Sequence, residues 1–482
     1  MIVRRIPMLV LSIAVVVAIV VTARTTVEPT QAVFSNVAAP WMPAAPLPGG
    51  LTSTWFCPGV PAAGEDETGG VVRVFNTGDA EMGGRLTVLT VEGDPVTQPV
   101  TVAPYAAQEF DLDALVDSPY AAAFVEIDGG GGLVEQLAKH PAGFSVAACA
   151  NAPSSEWYVA AGDTLDDSRD LLVLSNPNDD DAIVDIELST SAGVRQPQNL
   201  QNYPVPGRSV RIVDVNDVRA DETEVAASVE ATRGTVVVGR AQVFGHEARR
   251  GYVMSLAAPT LGEQWWFANG PRGDDYDVKY TLYNPNDFDV EVTPVLLGFL
   301  PGADYVPPDL AVTVPDGERV VWDPNEVPDV PDGVVSAVFG TLPGEGIVVE
   351  RVVTRTIDGI PTTSTTLGAL PRSDNYLANT WYVGIGAEES APYQLVVYNA
   401  NATDATVTIQ AVRQGGGVET VPSLEAIALP RSQVITIVVD DAAALDVPLV
   451  VRSTTQVFVE RVLPREPGAQ GRVSVWAVPA NA

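Results

Sequence analysis

The chain has 482 residues and a formal net charge of −34, from 61 acidic and 27 basic side chains. No basic stripe exists to meet phosphates, which excludes nucleic acid as a partner. Two His and two Cys leave little material for zinc or redox chemistry, and no cofactor is implied. With 46% apolar residues, the chain can bury a core over a length suited to about three domains.

Arg4 and Arg5 precede an uncharged apolar run from Ile6 to Ala23. A signal-peptide core takes about 7–15 apolar residues and a spanning helix roughly 17–25. Residues 1–23 therefore read as a transmembrane segment or signal anchor. Small residues in Val21-Thr22-Ala23 leave cleavage after Ala23 as the alternative, which would make the protein secreted. After Arg24 the next basic residue is Arg73, so the positive-inside rule puts the N-terminus in the cytoplasm and the bulk outside. The expected location is the cell membrane, held through residues 6–23. Residues 24–50 are rich in Pro, Ala and Thr and read as a tether, with Trp41 either an interfacial anchor or without a role.

The rest of the chain is an internal repeat. Four segments open alike, at Trp55-Phe56, Trp157-Tyr158, Trp266-Phe267 and Trp381-Tyr382. Each is followed by an apolar strand ending in Asn76, Asn176, Asn284 or Asn399. A second alternating strand comes next, then a proline step at Pro104, Pro206, Pro315 and Pro430. A late strand reads VVVGR, IVVER and VFVER in the last three copies, and only LVEQ in the first. The repeat runs about 100–115 residues, too long for a propeller blade of roughly 40–50 residues. Short strands with regular turn signals suit a sandwich. The expected fold is all-β: four tandem immunoglobulin-like β-sandwich domains at 51–153, 154–262, 263–375 and 376–482. A linear array of four such domains would reach on the order of 130 Å. The Asn residues are expected to close turns, since their side chains mimic a backbone turn and a following Pro presets φ.

The Trp-Phe-Cys-Pro-Gly opening, the LVLSNPNDDDAIVDIEL hairpin and the VPGRSVRIVDV step resemble an actinobacterial family of exported proteins known only as a domain of unknown function. The resemblance implies a membrane segment followed by repeated β-rich units. It brings no activity, ligand or catalytic residue. Copy three departs by pairing Trp265 with Trp266 and by its IDGIPTTSTTL tail.

Cys57 and Cys149 open and close copy one, and in an exported chain they are expected to form a disulfide. His140 and His246 have no Gly-x-Ser-x-Gly elbow beside them. Acidic loops at Asp163, Asp166, Asp167 and Asp170, at Asp179, Asp180 and Asp181, and at Asp274, Asp275 and Asp277 read as solvated surface. The first two groups are also weak calcium candidates, because calcium takes six to eight oxygens. Trp55, Trp157, Trp266 and Trp381 recur at one landmark and read as core; a sugar-stacking platform is the alternative. Glu350-Arg351 and Glu460-Arg461 are adjacent on their strands, so they point to opposite faces and pair with neighbours.

Together these features suggest a non-enzymatic, membrane-tethered scaffold or interaction protein of the cell envelope, with envelope proteins or glycans as partners. A carbohydrate- or peptidoglycan-binding protein is the second reading, and an envelope enzyme the third.

Overall fold

A computed structural model describes residues 42–46, 48–63, 68–299, 311–370, 378–386, 390–464 and 472–480. The Ile6–Ala23 run, Trp41 and most of the 24–50 tether lie outside the described residues. Among the described residues no helix is long and apolar enough to cross a membrane.

The fold is all-β. In the first unit the strands are β1 (Pro48–Ala62), β2 (Gly69–Phe75), β3 (Met82–Thr90), β4 (Val96–Val102), β5 (Ala107–Asp111), β6 (Ser118–Gly130), β7 (Leu133–Lys139) and β8 (Ser145–Ala148). They form two antiparallel sheets, in the orders β1-β6-β3-β4 and β5-β2-β7-β8. The second and third units repeat this scheme. In the fourth unit a 16-residue strand, Leu449–Pro464, runs through both sheets and joins them. The sandwich was legible, but the immunoglobulin partition was not met. That fold puts its first, second, fourth and fifth strands together. Here the first, third, fourth and sixth share a sheet, because the chain crosses between sheets after β1, β2, β4, β5 and β6.

Burial explains two strand patterns in the sequence. Ala182–Thr190, in the sheet containing each unit's first strand, alternates buried and half-buried positions as far as Leu188, since one face meets solvent there. Strand β2, in the other sheet, is buried at all seven positions. Apolar runs such as LLVL, and VVRVF with its one buried Arg73, arise because this second sheet is covered on both faces. One cover is its own partner sheet, and the other is the neighbouring unit.

The units therefore do not form a linear array. Residues 39–482 are one compact body. Strand β8 touches the last strand of unit two (Arg249–Leu256), which touches that of unit three (Ile360–Leu367). The third touches Arg472–Trp476 of unit four, which returns to β8. Ser145 Oγ accepts from Met254 N–H at 2.9 Å, and Thr366 Oγ1 donates to Ser474 O at 3.1 Å. The ring is latched where its ends meet: Ala45 N–H donates to Pro479 O at 2.9 Å. Ala44 and Ala45, assigned to the tether by sequence, are thus buried parts of the ring.

Candidate functional site

Each turn Asn is a fixed hydrogen-bonding hub. Asn176 Oδ1 accepts from Asn178 N–H at 3.0 Å, closing the turn, while its Nδ2 donates to Asp180 O and Val205 O. Asn76, Asn284 and Asn399 make the same set of bonds, each reaching the carbonyls at the proline step. That reach is the reason the Asn-to-Pro spacing stays within 28–31 residues.

The opening tryptophans need one correction. Trp55, Trp157 and Trp381 are buried to 1% exposure or less, but in unit three the buried residue is Trp265, not Trp266. Trp157, Trp265 and Trp381 donate Nε1–H to Val236 O, Ile347 O and Val457 O, three equivalent carbonyls. The landmark is a core Trp followed by Phe56, Tyr158, Trp266 or Tyr382. The doubled tryptophan hid it, because Trp266-Phe267 imitates the pattern one residue late. Trp266 instead faces unit four, 5.2 Å from the Phe458 ring.

After the core Trp, the opening strands of units one, two and three carry a bulge, at Cys57–Val60, Val159–Gly162 and Phe267–Gly270. In units two and three, N–H groups just past the Trp point at the next unit. Glu350 of unit three accepts from Ala160 and Ala161 N–H at 3.0 and 2.6 Å, and Glu460 of unit four accepts from Asn269 N–H at 3.0 Å. The same carboxylates meet an arginine of the preceding unit. Arg240 pairs with Glu350 at 2.9 Å, Arg351 with Glu460, and Arg461 with Glu135 of unit one at 3.1 Å. All six side chains are nearly or fully buried. The late-strand Glu-Arg pair thus points both ways around the ring: each Glu backward, each Arg forward.

The acidic loops divide. Asp163 and Asp170 are buried, whereas Asp166, Asp167, Asp179, Asp180 and Asp181 are exposed. Asp163 accepts from Leu165 N–H at 3.0 Å and contacts His246 Nε2 at 3.0 Å and Arg249 at 3.2 Å. Arg249 bridges to Glu224, which accepts from Thr281 of unit three. Burial pushes the Asp170 carboxyl up to about 7 against the pull of Arg240. Asp179 pairs with Arg208, and Asp181 accepts from Gly207 N–H. Among the described residues no three His, Cys, Asp or Glu side chains come together as a metal-holding group. Asp163 and His246 make two members of a triad, but no serine hydroxyl is bonded to His246 among those residues. His140 stacks on Tyr252, and burial lowers its pKa.

Cys57 and Cys149 are disulfide-bonded, tying β1 to the segment after β8. On the ring axis, the last strands of all four units and Met42 line a narrow apolar cavity of about 60 Å³.

Residues 137–243 match a family of unknown function, DUF5719. The matched stretch starts within β7 and ends within Val237–His246, the counterpart of β7 in unit two, so it crosses the first joint of the ring. No curated protein matches the chain. A solved structure titled "Crystal structure of tetra-tandem repeat in extending region of large adhesion protein" is similar at 13% identity over 84% of this chain and 93% of that one. Its TM-score is 0.11, so that likeness carries no argument about fold or function.

Proposed function

We propose that the protein is a non-enzymatic scaffold or interaction platform on the outer side of the cytoplasmic membrane, tethered through residues 6–23. The observation that carries this reading is the closed ring. Its start and end are latched together, and three of its four joints are locked by buried Arg–Glu pairs. Such joints leave the units little freedom to move against each other, which suits a rigid platform. Glu350 and Glu460 are committed to these joints, and Asp163 and His246 to each other and, through Arg249, to Glu224.

The topology is tested by protease shaving of intact cells that make the full chain. Removal of the ring supports the reading, and protection of the whole chain overturns it. Shape is tested separately by small-angle scattering. A compact body of this size has a radius of gyration of about 22 Å. A value expected for an extended string of domains would overturn the platform.

A further inference from the structure

We infer that a cleft on unit three, floored by Gly340 and walled by Trp266, binds a neutral oligosaccharide through its pyranose rings. The inference comes from comparing one sheet face across the four units. In each, a rung of three residues crosses the first, sixth and third strands of the unit, one step from the rung that carries the aromatic after the core Trp. In unit one this rung is Thr54–Glu126–Arg85, and Arg85 pairs with Glu126 at 2.6 Å. In unit two it is Glu156–Glu230–Asp185. In unit four it is Thr380–Arg452–Thr408. The central position therefore carries a long charged side chain in three units.

Unit three has Gln264–Gly340–Thr293 instead. With no side chain at its centre, the face opens into a cleft of about 560 Å³. That volume lies in the range of ligand pockets, roughly 300–1,000 Å³. A Cβ built on Gly340 would meet no described residue within 4 Å, so packing among these does not require glycine there. The next rung holds Trp266, the largest aromatic at this position in the four units. Its indole is half-buried and backed by Phe458 and Tyr398 of unit four, with centroids at 5.2 and 6.3 Å. The buried Trp266 Nε1–H has no hydrogen-bond partner among the described residues.

The rim supplies Gln264, Thr293 and Glu291. An aromatic face beside an amide, a hydroxyl and a carboxylate matches a pyranose, which offers an apolar C–H face and a belt of hydroxyl donors and acceptors. The one charged group among these is acidic, and the chain carries −34 overall. Acidic sugars are thereby disfavoured. This site goes beyond the platform reading and stands whether or not the topology above holds.

The experiment is calorimetric and fluorescence titration of the full chain with cellotriose, triacetylchitotriose and trigalacturonate. Saturable binding of at least one neutral trisaccharide, with a change in tryptophan emission, is expected. Gly340→Arg, which installs the side chain of unit four, should weaken it tenfold or more with an unchanged melting temperature. Glu291→Gln at the exposed rim should weaken it several-fold, and serves as the measure if Gly340→Arg alters folding. Absence of binding by both neutral sugars, tighter binding of trigalacturonate, or binding indifferent to both substitutions would overturn the proposal.

Discussion

The joint between units one and two differs from the other three. Where those joints pair Arg with Glu, the corresponding positions at this one are Gln136 and Gly239. Where a backbone N–H reaches a carboxylate at the second and third joints, Pro58 offers none. The departures fit one another. A Cβ on Gly239 would lie 2.7 Å from the Pro58 Cβ, so the proline occupies the space that the glutamate leaves. Gln136 turns back to its own unit, bonding Gly59 N–H and C=O at 3.3 Å each. A second contact changes with them. The residue before the turn Asn is Phe75, Tyr283 and Tyr398 in the other units but Ser175 here. Removing both partners of a buried pair together avoids leaving one charge stranded, which is the costly outcome. The disulfide ends at Cys57, next to Pro58, so a covalent tie stands beside the joint that lacks an ion pair.

The strongest way to break this comparison is to strand a charge. Glu460→Ala leaves the Arg351 guanidinium buried and unpaired, and should destabilise the ring by about 3–5 kcal/mol. Gln136→Ala at the first joint should cost only about 1–2 kcal/mol, since it removes neutral hydrogen bonds. Urea denaturation of both variants checks this, and equal losses would erase the distinction between joints.

The corrected tryptophan register gives a second contrast. Trp265→Ala and Trp157→Ala empty a sandwich core and should each cost about 3–5 kcal/mol. Trp266→Ala, at the edge of a joint, should cost less. Thermal melting would show the reverse order if Trp266 were the core residue.

Reduction of the disulfide should lower stability by about 2–5 kcal/mol, as expected for a long closed loop. Its effect should fall on the first joint. Hydrogen exchange in β1 and β8 should therefore rise more than in units three and four; uniform acceleration would detach the disulfide from that joint.

A pH slope is the remaining expected effect. Burial raises the Asp170 pKa from an ordinary 3.8 to about 7, so the folded state holds this proton more tightly than the unfolded chain does. Stability from this group is full below the unfolded pKa and declines as pH rises from about 4 to about 7. Asp170→Asn should flatten that decline. An unchanged slope in the variant would place the titration elsewhere.

The local signals were legible because they rest on short-range chemistry. The turn asparagines, the proline steps, the alternating strands and the approximate position of the core tryptophans follow from a few residues each. The Glu-Arg doublets were seen to point to opposite faces, which a strand's alternation dictates. What each face would meet was not readable, since the partner lies about 110 residues away in the next unit. Repeat length separates a single propeller blade from a whole domain, and carries nothing about whole sandwiches closing a ring.

The sequence by itself determined that the chain is all-β, that it repeats four times, and which residues make each turn. Periodicity and turn propensity act within a dozen residues and need no tertiary partner. The tertiary structure alone decided the strand partition, the ring and the pairing of each arginine with the next unit's glutamate. It also decided that Trp265, not Trp266, fills the core. These depend on which buried face meets which, and burial on both faces leaves only a continuous apolar run in the sequence, with no mark of its partner.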